Sequence, residues 1–328
     1  MKNNSIENPG SKIKGLGNYL GESALLINTM IWGGTFVIVK NSLSDISPML
    51  FVSIRFAVAS LILLPFALKA LKKVDRKNLT RGFILGTLLF LGFSSQTIGL
   101  RYTSATKSGF ITGSLVMFIP LFQFLLQKKK PSMGSMLGSL VVLLGLIFLS
   151  VKDTTILNLF YELGSNFNTG DVFTLLCAVC FALHIVYLDK ISRRIEFLAL
   201  TFLQISVTAV LSFVLTVVLG YSGLETVSMN LTGSLLGGLA YTSLIATLIT
   251  MSIQTKYQKE VSPTMAGIIF SFEPVFSALL AYFVLGERIT LFGLAGCVLI
   301  FTGLLISELY ERMAARSGIK LSDSGYSA

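Results

Sequence analysis

The sequence predicts an all-α polytopic membrane protein whose ten transmembrane helices form two inverted repeats of five. Three observations predict it. Hydrophobic residues make up 53% of the 328-residue chain and charged residues 13%, about half the charged share of a soluble domain. The apolar runs are long and continuous, as helices crossing a hydrocarbon core of about 30 Å require. The stretch from Val261 to Leu305 also has a weaker copy earlier in the chain. Displaced by 158 positions and without a gap, Ser104 meets Ser262, Thr106 meets Thr264, Gly109 meets Gly267, Ser132 meets Thr290, Gly138 meets Gly296 and Gly145 meets Gly303. Gln96 meets Gln254 in the preceding helix. A single register with this many identities indicates a duplicated unit.

Taken in order, residues 1–21 are polar and read as a cytoplasmic tail. The first repeat, 22–152, holds spans at about 22–40, 48–68, 80–100, 105–127 and 133–151. Residues 153–168 form a linker, and the second repeat, 169–308, holds spans at about 170–188, 197–220, 232–255, 263–285 and 290–308. Residues 309–328 are a second cytoplasmic tail. Charged elbows such as Lys69 to Arg81, Lys128-Lys129-Lys130-Pro131 and Gly286-Glu287-Arg288 separate the spans.

The net charge of +10 has its source in those elbows. With the amino terminus inside, inner segments carry twenty basic residues and outer ones five, with Arg55 inside a span. That bias places both termini in the cytoplasm and the protein in the plasma (inner) membrane. No basic, aromatic-interleaved domain lies outside the spans, so nucleic acid is not a partner. Five spans per half is an odd number, so the second half enters the membrane in the opposite sense to the first. In the first two spans the register is 149, which sets Trp32 on Phe181 and Arg55 on Gln204. Inverted repeats are a recurring plan of secondary transporters, with the substrate near the midplane between the halves.

The segment Ser262-Pro263-Thr264, Ala266-Gly267, then Glu273-Pro274-Val275-Phe276 through Leu285-Gly286-Glu287-Arg288, followed by a glycine-punctuated span, resembles the second EamA-type domain of the drug/metabolite transporter superfamily. Trp32-Gly33-Gly34-Thr35-Phe36, then Pro48 with Phe51 and Arg55-Phe56, resembles the first. The resemblance covers about 22 to 308. It implies a ten-helix carrier of small metabolites, amino acids or drugs, often an exporter. An uptake carrier and a lipid or polyprenyl-phosphate flippase are the other roles the scaffold allows. The first half departs from the pattern, having Leu115-Val116 opposite Glu273-Pro274 and Lys129 opposite Glu287.

Residue chemistry narrows the transport path. Glu273 is the acidic residue placed well inside a span, where carboxylates are costly and commonly face a cavity or relay a proton. Arg55 is an equally costly permanent charge, suited to a substrate carboxylate or to packing. Lys107 stands near the outer end of the fourth span. Trp32, Gln96 and Gln254 add polar or aromatic groups to apolar spans, and interhelical hydrogen bonding is their alternative use. Pro120 and Pro274 are expected to break the fourth and ninth spans, because each removes a backbone donor. Cys177, Cys180 and His184 share a helix face but bring no fourth ligand, so no metal or cofactor is expected. The chain has no phosphate-cradling loop and no H-E-x-x-H pair, which argues against nucleotide hydrolysis and against an enzyme. Gly109 with Gly113, Gly134 with Gly138 and Gly233 with Gly237 are spaced for close helix packing, within one monomer or across a homodimer.

Overall fold

The structure, a computed structural model, describes residues 19–128, 130–149, 168–285 and 290–316. Most of the tails and the expected linker, and the Gly286-Glu287-Arg288 elbow, lie outside the described residues. The first half runs through α1 (Leu20–Gly33) and α2 (Thr35–Ser42), which share one span, then α3 (Pro48–Leu71), α4 (Arg76–Tyr102), α5 (Ala105–Gly113) and α6 (Leu115–Gln127), again one span, and α7 (Met133–Leu149). The second half has α8 (Thr169–Ser192), α9 (Phe197–Tyr221), α10 (Gly233–Ala240), α11 (Thr250–Tyr257), α12 (Pro263–Phe270), α13 (Glu273–Leu285) and α14 (Leu291–Arg316). A π-helix, Tyr241–Ile249, joins α10 to α11 within one span. Nine spans among the described residues are long and apolar enough to cross a membrane, and α7 is shorter at 17 residues. Together they form two inverted repeats of five. Side chains such as Leu61, Phe66, Val210 and Phe213 are exposed around the bundle, where a bilayer replaces water and apolar exposure carries no penalty.

The repeat register has a local cause. Ser104 accepts a hydrogen bond from Lys107 N at 3.2 Å and Ser262 from Met265 N at 3.2 Å, so the two serines cap the same helix in each half. Ser132 and Thr290 do likewise, accepting from Ser135 N and Gly293 N at 3.0 and 2.9 Å. Each cap satisfies a backbone N–H that the helix itself leaves unpaired.

Glycine contacts reveal the axis between the halves. A Cβ on Gly138 would lie 2.6 Å from Gly303 O, and one on Gly303 would lie 2.6 Å from Gly138 O. Gly145 and Gly296 approach each other in the same reciprocal way, at 2.8 and 2.6 Å. Since Gly138 corresponds to Gly296 and Gly145 to Gly303 in sequence, each glycine meets the counterpart of the other, as a two-fold axis requires. The same holds at the bundle's ends. Gly99 packs on Gly170, whereas their counterparts Tyr257 and Gly21 touch at the opposite end. Ser271 Oγ donates to Gly113 O at 3.4 Å, and because these residues are themselves counterparts, their contact lies on the axis.

One end of the bundle joins loops of both halves. Ile46 bridges Met229, Ser47 N donates to Ser228 O at 3.0 Å and Thr232 Oγ1 donates to Asp45 Oδ2 at 2.6 Å. We call this the bridged end. The other end brings Gly21 against Val261 and Gly134 against Tyr310, so it holds both ends of the described chain.

Pro120 does not mark the break in the fourth span, whereas Pro274 stands two residues past the break in the ninth. Pro120 is inside the continuous α6, and that span is interrupted six residues earlier, at Ser114. The ninth is interrupted at Ser271-Phe272. Pro274 is the second residue of α13, in the first turn, where an N–H would have no intrahelical partner in any case. Ser114 and Phe272 occupy one register position, so the interruption belongs to the repeated unit, while the prolines do not.

Candidate functional site

The interrupted spans and the axis surround a cavity of about 50 Å³. Trp32, Arg55, Gln96, Gln254 and Glu273 line it, together with Thr35, Phe93, Thr112, Phe181, His184 and Phe270. A single water needs on the order of 10–15 Å³ of such space. In this conformation the cavity therefore has room for a few waters.

Arg55, 3% exposed, is held from the eighth span. Its Nε donates to Thr247 Oγ1 at 2.7 Å and its Nη2 to Ala246 O at 3.1 Å. The guanidinium carbon lies 4.6 Å from the Phe93 ring centre and 5.5 Å from that of Phe56. Trp32 Nε1 donates to the same Ala246 O at 3.2 Å and to Thr250 Oγ1 at 3.1 Å. One carbonyl thus serves two spans, and the π-helix is what makes it available. Thr250 N–H, which would donate to Ala246 O in an α-helix, donates to Ile245 O instead. A wide turn of this kind is often found at functional sites. Tyr241 Oη fastens the start of the π-helix to Ile31 O at 2.7 Å.

Glu273 begins α13 directly after the interruption and is partly exposed to the cavity. No direct ion pair joins it to Arg55, and it accepts no hydrogen bond from a described residue. The cavity accordingly presents a carboxylate and a guanidinium as separate groups. Aromatic walls complete it. Trp32 and Phe270 have ring centres 5.4 Å apart, and Phe93 and Phe181 are 5.1 Å apart. Trp32 packs beside Thr250, while its counterpart Phe181 packs on Gly92, the counterpart of Thr250.

The counterparts Gln96 and Gln254 both line the space. Gln254 Nε2 donates to Gln258 Oε1 at 2.7 Å, and Gln258 donates in turn to Ile185 O at 2.8 Å. His184 bonds through Nε2 to Gln204 Oε1 at 2.9 Å, and Gln204 Nε2 donates to Thr255 Oγ1 at 2.7 Å. An amide oxygen only accepts, so this chain fixes the proton on Nε2 and leaves Nδ1 as an acceptor. Cys177 and Cys180 are buried beside it. Lys107 is not part of the lining. Its Nζ meets Asp171 Oδ2 at 2.6 Å, near the bridged end.

Thr247 and Thr250 went unmarked in the sequence for a physical reason. Hydroxyls in these spans routinely donate to the carbonyl four residues back, as Thr242 does to Gly238 O and Thr255 to Met251 O. A threonine bound to another span looks the same in sequence. Thr247→Val keeps the shape and deprives buried Arg55 Nε of its acceptor. The expected loss is about 1–3 kcal/mol, read as a lower thermal midpoint of the purified protein, whereas Ser252→Ala should leave that midpoint in place.

Comparison with known proteins agrees with the duplicated fold. The profile of the EamA-like transporter family matches residues 19–151 and again 168–309. The chain belongs to the EamA-like transporter family. An uncharacterized transporter of Archaeoglobus fulgidus is 31% identical over 90% of this chain and 88% of its own length. The uncharacterized transporter YoaV of Bacillus subtilis is 22% identical over 85% of this chain and 93% of its own. A solved crystal structure, 17% identical, covers 90% of this chain with a TM-score of 0.69 and shares the fold. This family member is therefore a multi-pass membrane transporter.

Proposed function

We propose that this EamA-family protein is a secondary carrier that exports a small metabolite, amino acid or drug across the plasma membrane, with both termini in the cytoplasm. It works by alternating access, the two halves rocking about the axis that Gly138, Gly145, Gly296 and Gly303 define. One observation carries the reading. Arg55 and Glu273, of opposite charge and not paired with each other, face a single space between inverted repeats walled by Trp32, Phe93, Phe181 and Phe270. Separate charges beside aromatic walls suit a small molecule with both polar and apolar parts. Because the space now has room for a few waters, such a molecule enters only when one end opens. Glu273 is the group that can exchange a proton with the cavity, which supports coupling to a proton gradient. The excess of basic residues at the end holding the chain termini supports the orientation.

Comparing metabolites in cells and medium between overexpressing and deletion strains tests this. One compound class should accumulate in the medium on overexpression and in the cells on deletion. Profiles that do not differ between the strains would defeat the proposal, and accumulation in the overexpressing cells would reverse the direction.

A further inference from the structure

We propose that Lys107 and Asp171 form an ionic latch that closes the cavity toward the bridged end, a latch whose cation has no register counterpart at the opposite end. The inference rests on the alternating-access reading and adds what controls access to that same cavity. Asp171 is fully buried, at 0% exposure, and lies in the first turn of α8. Its Oδ2 meets Lys107 Nζ of α5 at 2.6 Å and accepts Asn168 N at 2.9 Å, and its Oδ1 accepts Thr103 Oγ1 at 2.8 Å. Lys40, at the end of the first span, donates to Leu100 O and, at 2.9 Å, to Thr103 O. Gly99 and Gly170 bring the backbones of α4 and α8 together beside this group. The first, third and fourth spans are thereby tied to the first helix of the other half. Along α5, the cavity-lining Thr112 follows Lys107 by five residues, less than two turns, so the tie stands over the cavity.

The inverted repeat supplies the comparison. The register positions corresponding to Lys107, Thr103 and Asp171 are Met265, Val261 and Glu22. Val261 and Met265 lie with Leu25 in a buried apolar cluster, at 4% and 3% exposure. Where the bridged end has a cation and a hydroxyl gathered on a buried carboxylate, the other end has a valine and a methionine. Polar contacts between the halves at that end run elsewhere, from Gln127 Nε2 to Asp189 Oδ2 at 3.0 Å and from Thr264 Oγ1 to Gln123 Oε1 at 2.8 Å, so the inverted repeat does not duplicate the Lys107 tie. Separating the latch exposes a buried carboxylate and an ammonium, and the attraction between them must be overcome.

The test needs no knowledge of the substrate. In a full-length background with Cys177, Cys180 and Cys297 replaced, a cysteine at Thr112 is labelled with a membrane-impermeant methanethiosulfonate applied to one side of the membrane at a time. Lys107→Gln and Asp171→Asn should each raise labelling from the bridged side by on the order of tenfold, with labelling from the other side unchanged or slower. The exchanged pair, Lys107→Asp with Asp171→Lys, should return the rate toward that of the background. Lys107→Gln leaves the Asp171 cap intact, so it separates the latch from the folding of α8. Unchanged bridged-side labelling in both single variants, or an equal rise from both sides, overturns the latch. A cysteine that reacts from neither side in any variant overturns alternating access, and the latch with it.

Discussion

A Gly296→Val protein is expected to lose its fold in the membrane. A Cβ at this position would lie 2.5 Å from Leu149 N and 2.6 Å from Gly145 O, closer than any non-bonded carbon can approach. Backbone cannot swing aside as a flexible side chain can, so α7 and α14 would have to separate along their whole crossing. Overpacking typically costs about 1–3 kcal/mol, and two rigid backbone clashes put this substitution at the top of that range or above it. Lipid offers the helices no hydrophobic drive to stay together once the close fit is lost. Gly237→Val is the internal control, since nothing lies within 4 Å of its Cβ position, and it should change stability by less than about 0.5 kcal/mol. Fluorescence-detected size exclusion after stepwise heating reads both. A Gly296→Val protein as heat-resistant as the parent would remove the glycine crossing as the element that joins the halves.

Glu273→Gln is expected to lower net transport by on the order of a hundredfold while leaving folded protein in place. The glutamine keeps size and polarity, and no hydrogen bond from a described residue is lost with the carboxylate, only its electrostatic attraction for Arg55. What disappears is a carboxylate that can take up and release a proton inside the cavity. The measurement is uptake into proteoliposomes of the compound found by metabolite profiling, with and without an imposed pH gradient. The parent should respond to the gradient and the Glu273→Gln protein should not, while Glu273→Asp should recover part of the rate. A Gln variant that still follows the gradient places proton coupling elsewhere.

Much of this architecture was legible because a repeat doubles every signal. Ser104 alone is one more serine, but Ser104 aligned with Ser262 announces a helix start in both halves, and both do cap helices. Gly138 and Gly145 became an interface only beside Gly296 and Gly303. Glu273 and Arg55 stood out because a charge inside an apolar run has few uses. The sequence could not show that their cavity is walled by Phe93 and Phe270, which look like any other phenylalanine in a span. The π-helix was hidden because apolar periodicity does not distinguish one wide turn from ordinary ones. The pairing of Lys107 was hidden because its partner, Asp171, lies 64 residues away at the edge of the link between repeats, and a pair across that distance leaves no local pattern. Pro120 misled because a proline can sit inside a membrane helix without ending it, whereas Pro274 does stand at a break.

The π-helix has one last consequence. Ala246 O receives the indole of the first span and the guanidinium of the second at once. Any slip that let Thr250 N–H reclaim this oxygen would weaken both attachments in a single event, leaving Trp32 on Thr250 Oγ1 and Arg55 on Thr247 Oγ1. The seam between the first two spans and the eighth thus shares one hook, and a shift of one peptide unit would loosen both sides of it together.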